Sequence, residues 1–292
     1  MAALAKTIVA TGVSSGLGFE AIKQLLEQTQ PYKVILGARN TSATQTAYDG
    51  LKFDSNNAVS VLPLDLADLK GVKSFAERTL EKLGQDKIDY LLLNAGISNG
   101  SEKPGPHGSK WCEAYIVNHL SQHYLVHLLR DKLVESRSRI VFVSSGAIRA
   151  VPDISVLDND LKGGAGVSGR SIYPQSKFVQ FLGAHWWRRQ LTGTNDVVAV
   201  SPGLIPGTGI GRGSDLALNM NMTDAKTVPE GARSILEAFT RSDFPEDPDR
   251  IFLTSWGEWW EKDVYENTLD KSLQDKWSPS KEQIERDEKV LS

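Results

Sequence analysis

The chain has 292 residues, 40% of them hydrophobic and 24% charged, which is expected of one soluble globular domain with a sizeable core. Its formal net charge of −3 excludes a general attraction to nucleic acid or to anionic lipid. The single cysteine, Cys112, excludes an internal disulfide and favours a reducing, cytoplasmic location. No run of 18 apolar residues is present, so we expect no membrane span.

Short apolar runs alternate with amphipathic stretches from the start of the chain. The runs are rich in Val, Ile and Leu with little alternation of polarity, which is typical of strands buried on both faces of a parallel sheet. They predict seven strands, at 7–10, 33–37, 59–64, 89–93, 139–143, 196–200 and 250–253. Apolar residues at helical spacing predict helices at 19–29, 69–83, 111–133, 174–191 and 229–240.

This alternation predicts the α/β class: a doubly wound, Rossmann-type parallel sheet of seven strands with helices on both faces. No shift in composition suggests a second core, so residues 1–292 are expected to form a single domain. The segment 256–292 is rich in Glu, Asp, Lys and Gln, and it predicts a polar, solvated helical extension at the C-terminus.

A glycine-rich turn, TGVSSGLG, covers residues 11–18 and joins the first predicted strand to a helix. Glycines let such a turn tighten and let the backbone approach a pyrophosphate, while the helix N-terminus favours negative charge. An ordinary strand-to-helix turn is the alternative, but the context of this motif favours a dinucleotide site. The predicted binding residues of this turn are Gly12, Ser14, Ser15, Gly16, Leu17 and Gly18.

The second predicted strand ends in Gly37-Ala38-Arg39-Asn40. Enzymes that use NAD place an acidic residue here to bind the ribose 2′-hydroxyl, whereas a guanidinium matches a 2′-phosphate with two hydrogen bonds. Arg39 and Asn40 therefore predict NADP(H) rather than NAD(H) as the cofactor. The alternative is that Arg39 is a solvated surface residue.

Tyr173 and Lys177 are four residues apart, a spacing that places both side chains on one face of a helix. A phenol has an ordinary pKa of about 10, and a nearby ammonium or oxidised nicotinamide would lower the pKa toward neutrality. The pair is therefore a candidate for proton transfer. For an isolated pair of this spacing, a packed tyrosine and a surface lysine would be the more common arrangement.

The glycine spacing, with a preceding threonine, and the Tyr-x-x-x-Lys pair resemble the short-chain dehydrogenase/reductase family. The resemblance implies a catalytic tetrad of Asn118, Ser145, Tyr173 and Lys177. Tyr173 would be the general acid and base, Ser145 would polarise the substrate carbonyl, and Lys177 would hold the nicotinamide ribose. Asn118 would hold a water in the proton relay.

The same resemblance implies further cofactor contacts after the later strands. Asp65 and Leu66 would contact the adenine, and the Asn94-Ala95-Gly96 turn would pass beside the cofactor. The family's Pro-Gly motif beside the nicotinamide is matched after the sixth strand by Pro202, Gly203 and Ile205, followed by Thr208, although the spacing before Thr208 is longer than the commonest version.

Two segments depart from the common family pattern. Ser145 and Tyr173 lie 28 positions apart, and the additional segment 149–172 is expected at the substrate mouth. This additional segment, the Asn-His-Leu sequence at 118–120 and the Trp-rich tail together resemble the retinol dehydrogenase and protochlorophyllide reductase branch. The segment 207–225 mixes glycines with apolar residues and predicts a lid over an apolar substrate, the alternative being a simple surface loop. The apolar residues of this segment are Ile210, Leu216, Leu218, Met220 and Met222.

Two clusters on predicted helices need an interpretation. His119, His123 and His127 fall on one stripe, but no cysteine or suitable carboxylate cluster accompanies them, so packing is favoured and no metal is expected. The aromatic residues Phe178, Phe181, Trp186 and Trp187 are compatible either with a homodimer interface or with an aromatic core face.

The family resemblance implies an NADP(H)-dependent oxidoreductase. It would transfer a hydride between the nicotinamide and a carbonyl or alcohol carbon of a hydrophobic ketone, aldehyde or alcohol. Reduction of a conjugated C=C bond is an alternative. A non-catalytic protein that senses NADP(H) or binds a partner is another alternative, which the complete tetrad disfavours.

Overall fold

Seven parallel strands form one sheet in the computed structural model, which describes residues 4–210 and 218–291. The strands are β1 (Lys6–Thr11), β2 (Tyr32–Ala38), β3 (Ala58–Pro63), β4 (Tyr90–Leu93), β5 (Arg139–Val143), β6 (Asp196–Val200) and β7 (Phe252–Leu253). Their order in the sheet is β3-β2-β1-β4-β5-β6-β7. The predicted Rossmann-type sheet is confirmed, and the predicted strands differ from the observed ones by at most two residues at an end.

Helices connect the strands and continue beyond β7. They are α1 (Gly16–Leu26), α2 (Thr41–Asp49), α3 (Leu69–Leu83), α4 (Glu113–Tyr115), α5 (Ser121–Ser136), α6 (Leu157–Asp160), α7 (Gly169–Gln190), α8 (Val228–Thr240), α9 (Lys271–Trp277) and α10 (Lys281–Asp287). A π-helical stretch, Ile116–Leu120, joins α4 to α5.

Among the helices that differ from the prediction, α2 and α7 have an identifiable physical reason. The sequence analysis missed α2, because only Thr44 and Tyr48 of this helix are buried and its apolar periodicity is weak. It begins where the Asn40 side chain accepts a hydrogen bond from the backbone N–H of Ala43 at 3.0 Å, a typical N-cap. The helix α7 begins five residues before the predicted start, so Pro174 lies inside the helix.

Two apolar layers cover the two faces of the sheet. On one face, Ile22 and Leu25 of α1 pack with Ile235 and Phe239 of α8. On the opposite face, α3, α5 and α7 contribute a second buried cluster. Because both faces are covered, the strand residues are buried almost continuously, which explains the unbroken Val/Ile/Leu runs of the sequence.

The C-terminal segment packs against the core, so the expectation that it is solvated was wrong. Tyr265, Trp277, Ile284 and Val290 are 2–7% exposed and belong to the cluster that contains α5 and α7. In this segment α9 contacts α7, and α10 contacts α5. The buried apolar residues are few and widely spaced among charged ones, so the composition of the segment did not indicate a buried face.

This packing decides between the two interpretations of the aromatic cluster. Phe178, Phe181 and Trp187 are at most 3% exposed and lie in the chain's own core beneath the C-terminal segment, as the core-face alternative predicts.

The histidine stripe, His119, His123 and His127, takes part in the same packing. His119 Nε2 hydrogen-bonds the Trp277 carbonyl at 2.6 Å, and His123 Nε2 hydrogen-bonds the Pro279 carbonyl at 3.0 Å.

Burial lowers the pKa of His119 to about 4, so the buried imidazole is neutral at pH 7. The residues described by the structure include no group of three His, Cys, Asp or Glu side chains arranged to hold a metal ion. Among the helices of the described ranges, none is long and apolar enough to cross a membrane.

If the C-terminal segment is part of the core, replacing Trp277 with alanine should lower the free energy of unfolding by about 3–5 kcal/mol, the usual range for a large buried aromatic. Urea denaturation followed by circular dichroism measures this loss. The matched control is Trp256→Ala, since the Trp256 side chain is 52% exposed and its removal should change stability far less. Equal effects of the two substitutions would contradict the assignment of Trp277 to the core.

Candidate active site

A cavity of about 960 Å³ opens at the carboxyl ends of the central strands. It lies beside the boundary between β1 and β4, where the strand order reverses, the usual place for a ligand in an open α/β sheet. Nearly all the residues predicted for the cofactor and for catalysis line it. The exceptions are Asn40, whose side chain caps α2, and Asn118, which is fully buried behind the cavity wall.

The glycine turn forms one end of this cavity. Gly12 and Gly16 have positive φ angles of 67° and 59°, a conformation that side chains disfavour. A Cβ atom on Gly12 would lie 2.5 Å from Ala95 Cα, and one on Gly18 would lie 2.3 Å from the Gly12 carbonyl oxygen. Ser15 makes no side-chain cap at the start of α1, so the first amides of this helix remain available to a phosphate.

Asn94 connects this turn to the neighbouring strand. Its Nδ2 donates to the Gly12 carbonyl oxygen at 2.6 Å, and the backbone N–H groups of Asn94 and Ala95 donate to Thr11 Oγ1 at 3.2 and 3.3 Å. These bonds tie the end of β4 to the end of β1. The shape of the glycine turn therefore depends on Asn94.

Arg39 directly follows β2, is exposed and lies at the rim of the cavity. Within the described ranges, its guanidinium has no hydrogen bond or ion pair. Asp65 also lies at this end, where it accepts the N–H of Ala67 at 3.0 Å. The glycine turn thus has space for the backbone to approach a dinucleotide, and the Arg39 guanidinium at the rim is unpaired among the described residues.

The opposite end of the cavity holds Ser145, Tyr173 and Lys177. Ser145 follows β5, and Tyr173 lies one turn before Lys177 on α7. Burial raises the pKa of Tyr173, while a hydrogen bond with the Ser145 side chain acts in the opposite direction. Burial also lowers the pKa of Lys177 from 10.5 to about 7. The expected lowering of the Tyr173 pKa by a neighbouring ammonium is therefore not observed, because desolvation dominates at both groups.

Lys177 is held by two acceptors inside the protein. Its Nζ donates to the Val143 carbonyl at 2.8 Å and to Gln180 Oε1 at 3.2 Å. Both Lys177 and Gln180 are at most 2% exposed. The sequence analysis missed Gln180, and the only available signal was its position one turn after Lys177 on the same helix.

Asn118 acts within the wall of the site. Its Nδ2 donates to the Ile97 carbonyl and to Ser176 Oγ, both at 2.8 Å, and its Oδ1 accepts the Ile97 N–H at 2.8 Å. The residue lies in the π-helical stretch, a wide turn often found at functional sites. The hydrogen bonds of Asn118 thereby connect α7 to the loop after β4.

The loop after β6 closes the cavity from the side, with Pro202, Gly203, Ile205 and Thr208 among its lining residues. Thr208 Oγ1 donates to the Ile205 carbonyl at 3.0 Å. A Cβ atom on Gly16 would lie 3.7 Å from the Thr208 methyl group, so Thr208 faces the glycine turn.

The two segments predicted at the substrate end also reach the cavity. Arg149, Ala150 and Arg170 come from the segment 149–172, and Ile210 and Leu218 come from the segment 207–225. Leu216 lies outside the described residues. The cavity lining also includes Trp260 and the charged Glu113, so with the two arginines it is more highly charged than an apolar pocket.

Comparisons with known proteins agree with this fold. Residues 6–155, about half of the chain, match the family model for short chain dehydrogenase. A short-chain dehydrogenase/reductase of Pestalotiopsis microspora is 61% identical over 97% of this chain and 99% of its own length. Human retinol dehydrogenase 12 is 29% identical over 79% of this chain and 72% of its own length.

Solved structures show the same fold. NADPH-bound carbonyl reductase from chicken fatty liver has a TM-score of 0.66 and 19% identity, covering 88% of this chain and 94% of its own. An alcohol dehydrogenase from Thermococcus sibiricus, complexed with 5-hydroxy-NADP, has a TM-score of 0.64 and 19% identity. The match covers 86% of this chain and 96% of its own.

The chain therefore belongs to the short-chain dehydrogenase/reductase family, an oxidoreductase family that uses nicotinamide cofactors. Its resemblance to the retinol dehydrogenase branch is also confirmed.

The hydrogen bond from Lys177 Nζ to Gln180 Oε1 predicts that two substitutions of Gln180 shift the pKa of Lys177 in opposite directions. Replacing Gln180 with leucine removes an acceptor from the ammonium, so the pKa of Lys177 should fall further below its ordinary value. Activity that needs the ammonium should then be lost at a pH about one unit lower. Gln180→Glu should move this loss to higher pH, because a carboxylate stabilises the ammonium.

The pH dependence of kcat/KM measures these shifts. A purely structural role for Gln180 would lower activity in both variants without moving the two profiles in opposite directions.

Proposed function

We propose that the protein is an NADP(H)-dependent oxidoreductase that transfers a hydride between the nicotinamide and a carbonyl or alcohol carbon of a small organic molecule. Tyr173 is the general acid and base. One observation carries the proposal: Ser145, Tyr173 and Lys177 line a single cavity together with the glycine turn.

The proposed cofactor assignment rests on the rim residue Arg39, which offers a guanidinium where an NAD-binding site has a carboxylate. The backbone of the glycine turn would hold the pyrophosphate, Asp65 and Leu66 would contact the adenine, and Lys177 would bind the nicotinamide ribose. Ile205 and Thr208 would lie at the carboxamide. The chicken structure has NADPH bound and the Thermococcus structure is complexed with 5-hydroxy-NADP, which supports the same choice.

The cofactor, when bound, supplies or accepts the hydride. During reduction, the Ser145 hydroxyl donates a hydrogen bond to the substrate oxygen, and Tyr173 transfers its proton to that oxygen. Because burial raises the pKa of Tyr173, the phenol is protonated at neutral pH and is ready to act as an acid. The phenolate that remains is stabilised by the protonated form of Lys177, which lies one turn along α7. Oxidation of an alcohol uses the same groups in reverse.

The proposed substrate is a ketone, aldehyde or alcohol with an apolar body. Val117, Ile210, Leu218 and the Trp260 ring line the cavity. The segment 149–172 would form the mouth. The described parts of the predicted lid, 207–210 and 218–225, would lie beside it, with a hydrogen bond from the Ser98 hydroxyl to the Ile210 carbonyl, and residues 211–217 lie outside the described residues. A homodimer would have to use a surface other than the aromatic face beneath the C-terminal segment.

The reaction can be tested with NADPH deuterated at the transferred position and a panel of ketones, aldehydes and enones. We expect deuterium on the carbinol carbon of the product. Tyr173→Phe should lower kcat at least about 100-fold, the usual contribution of a general acid, while cofactor binding is retained. Deuterium on the β-carbon of an enone would instead support C=C reduction. Cofactor binding without turnover of any compound would support the non-catalytic alternative.

The cofactor preference is tested separately by Arg39→Ala. Loss of charge-assisted hydrogen bonds to a 2′-phosphate should raise the KM for NADPH about 10- to 100-fold and leave the KM for NADH nearly unchanged. Steady-state kinetics with both cofactors gives the two values. Arg78→Ala on the exposed surface of α3 is the matched control and should change neither KM. Similar increases for both cofactors would contradict the role of Arg39.

A further inference from the structure

We propose that Arg149 and Arg170 form an anion-binding subsite in the active-site cavity, and that the substrate carries a carboxylate or another acidic group in addition to its reacting carbonyl. This inference rests on the proposed function, because it assigns a specificity to the same cavity. It names a chemical class of substrate that a purely apolar pocket would not select.

The positively charged residues of the cavity can be assigned one by one. Within the described part of the chain, the Lys and Arg side chains that line it are Arg39, Arg149, Arg170 and Lys177. The proposed function uses Arg39 for the 2′-phosphate and Lys177 for the ribose and proton transfer. Arg149 and Arg170 are left without a cofactor group to bind, and both lie in or beside the segment that separates Ser145 from Tyr173.

Arg149 is held in a defined orientation. Its Nε donates to the Gly146 carbonyl at 3.0 Å, and its guanidinium carbon lies 5.0 Å from the centre of the Trp260 ring. A Cβ atom on Gly146 would lie 3.3 Å from Arg149 Nη2, so this nitrogen sits next to the residue that follows Ser145. A guanidinium fixed in this way loses little freedom when its outer N–H groups bind a carboxylate.

Arg170 lies on α7, is exposed and also lines the cavity. It precedes Tyr173 by three residues on α7, a spacing that places the two side chains on neighbouring positions of one helix face. In the described residues it makes no hydrogen bond and no ion pair, although it lines the cavity. The guanidinium thus has its full hydrogen-bonding capacity available to a ligand.

The acidic residues of the cavity do not neutralise these arginines. Glu113 Oε2 accepts the amide of Asn99 at 2.7 Å, and Asp224 accepts the Ser255 hydroxyl and lies 4.0 Å from Lys226 Nζ. Asp65, the third acidic lining residue, belongs to the end of the cavity assigned to adenine.

Neither guanidinium therefore forms a salt bridge with a carboxylate in the described part of the chain. A neutral substrate that displaced water from the two guanidinium groups would incur a desolvation cost, whereas an anion would offset it.

The test uses matched pairs of carbonyl compounds that differ only in charge: 4-formylbenzoate against methyl 4-formylbenzoate, and 4-acetylbenzoate against methyl 4-acetylbenzoate. For each pair, the ratio of kcat/KM for the acid to that for the ester is measured with NADPH. We expect the wild-type enzyme to favour the acid, and Arg149→Gln and Arg170→Gln each to reduce this ratio about tenfold, mainly by raising the KM for the acid. Added salt should reduce the ratio as well.

Arg78→Gln is the matched control, because Arg78 is an exposed arginine outside the cavity, and the ratio should stay at the wild-type value. The subsite is overturned if the wild-type enzyme reduces the esters as well as the acids, or if the arginine variants lose acid and ester activity equally. Either result would leave the proposed function intact. Absence of turnover for every carbonyl compound would overturn the proposed function, and the substrate inference with it.

Discussion

The close contact between the ends of β1 and β4 is the constraint on which the active site depends. Gly12 and Gly18 leave no space for a Cβ atom, and the Asn94 amide holds the Gly12 carbonyl at 2.6 Å. This contact lies at the reversal of strand order, where the loops on either side diverge and leave a cavity. The glycine turn and the Ser145–Tyr173 pair can therefore face one elongated ligand from opposite ends.

Burial governs the chemistry at the other end of the cavity. Without charge partners among the described carboxylates, Lys177 has its pKa lowered to about 7, and desolvation raises the pKa of Tyr173. The two groups are thereby shifted toward the neutral forms of phenol and amine. A hydrogen bond with the Ser145 side chain opposes the shift at Tyr173, and Lys177 Nζ donates to Gln180 Oε1, so the positions of neutral polar side chains also matter at this end of the cavity.

Much of the fold was predictable from local sequence, because continuous apolar runs identify buried parallel strands. The candidate site was predictable to the extent that nearly all the residues proposed for it line one cavity. The remainder depends on contacts between distant segments. The burial of Trp277 and Ile284 is set by α5 and α7, and the short helix α2 is started by the Asn40 cap rather than by periodicity. Gln180, Arg149 and Arg170 gain significance only from what surrounds them in three dimensions.

The buried C-terminal segment has a consequence for biosynthesis. The catalytic helix α7 ends at Gln190, yet its outer face is covered by α9, which begins at Lys271. A chain emerging from the ribosome therefore leaves Trp187 and the neighbouring aromatic surface uncovered while about 80 further residues are added, for several seconds at ordinary rates of translation. During that interval the nascent protein has its nucleotide-binding strands but an incomplete hydrophobic layer, and protection of this surface by a chaperone would matter most then.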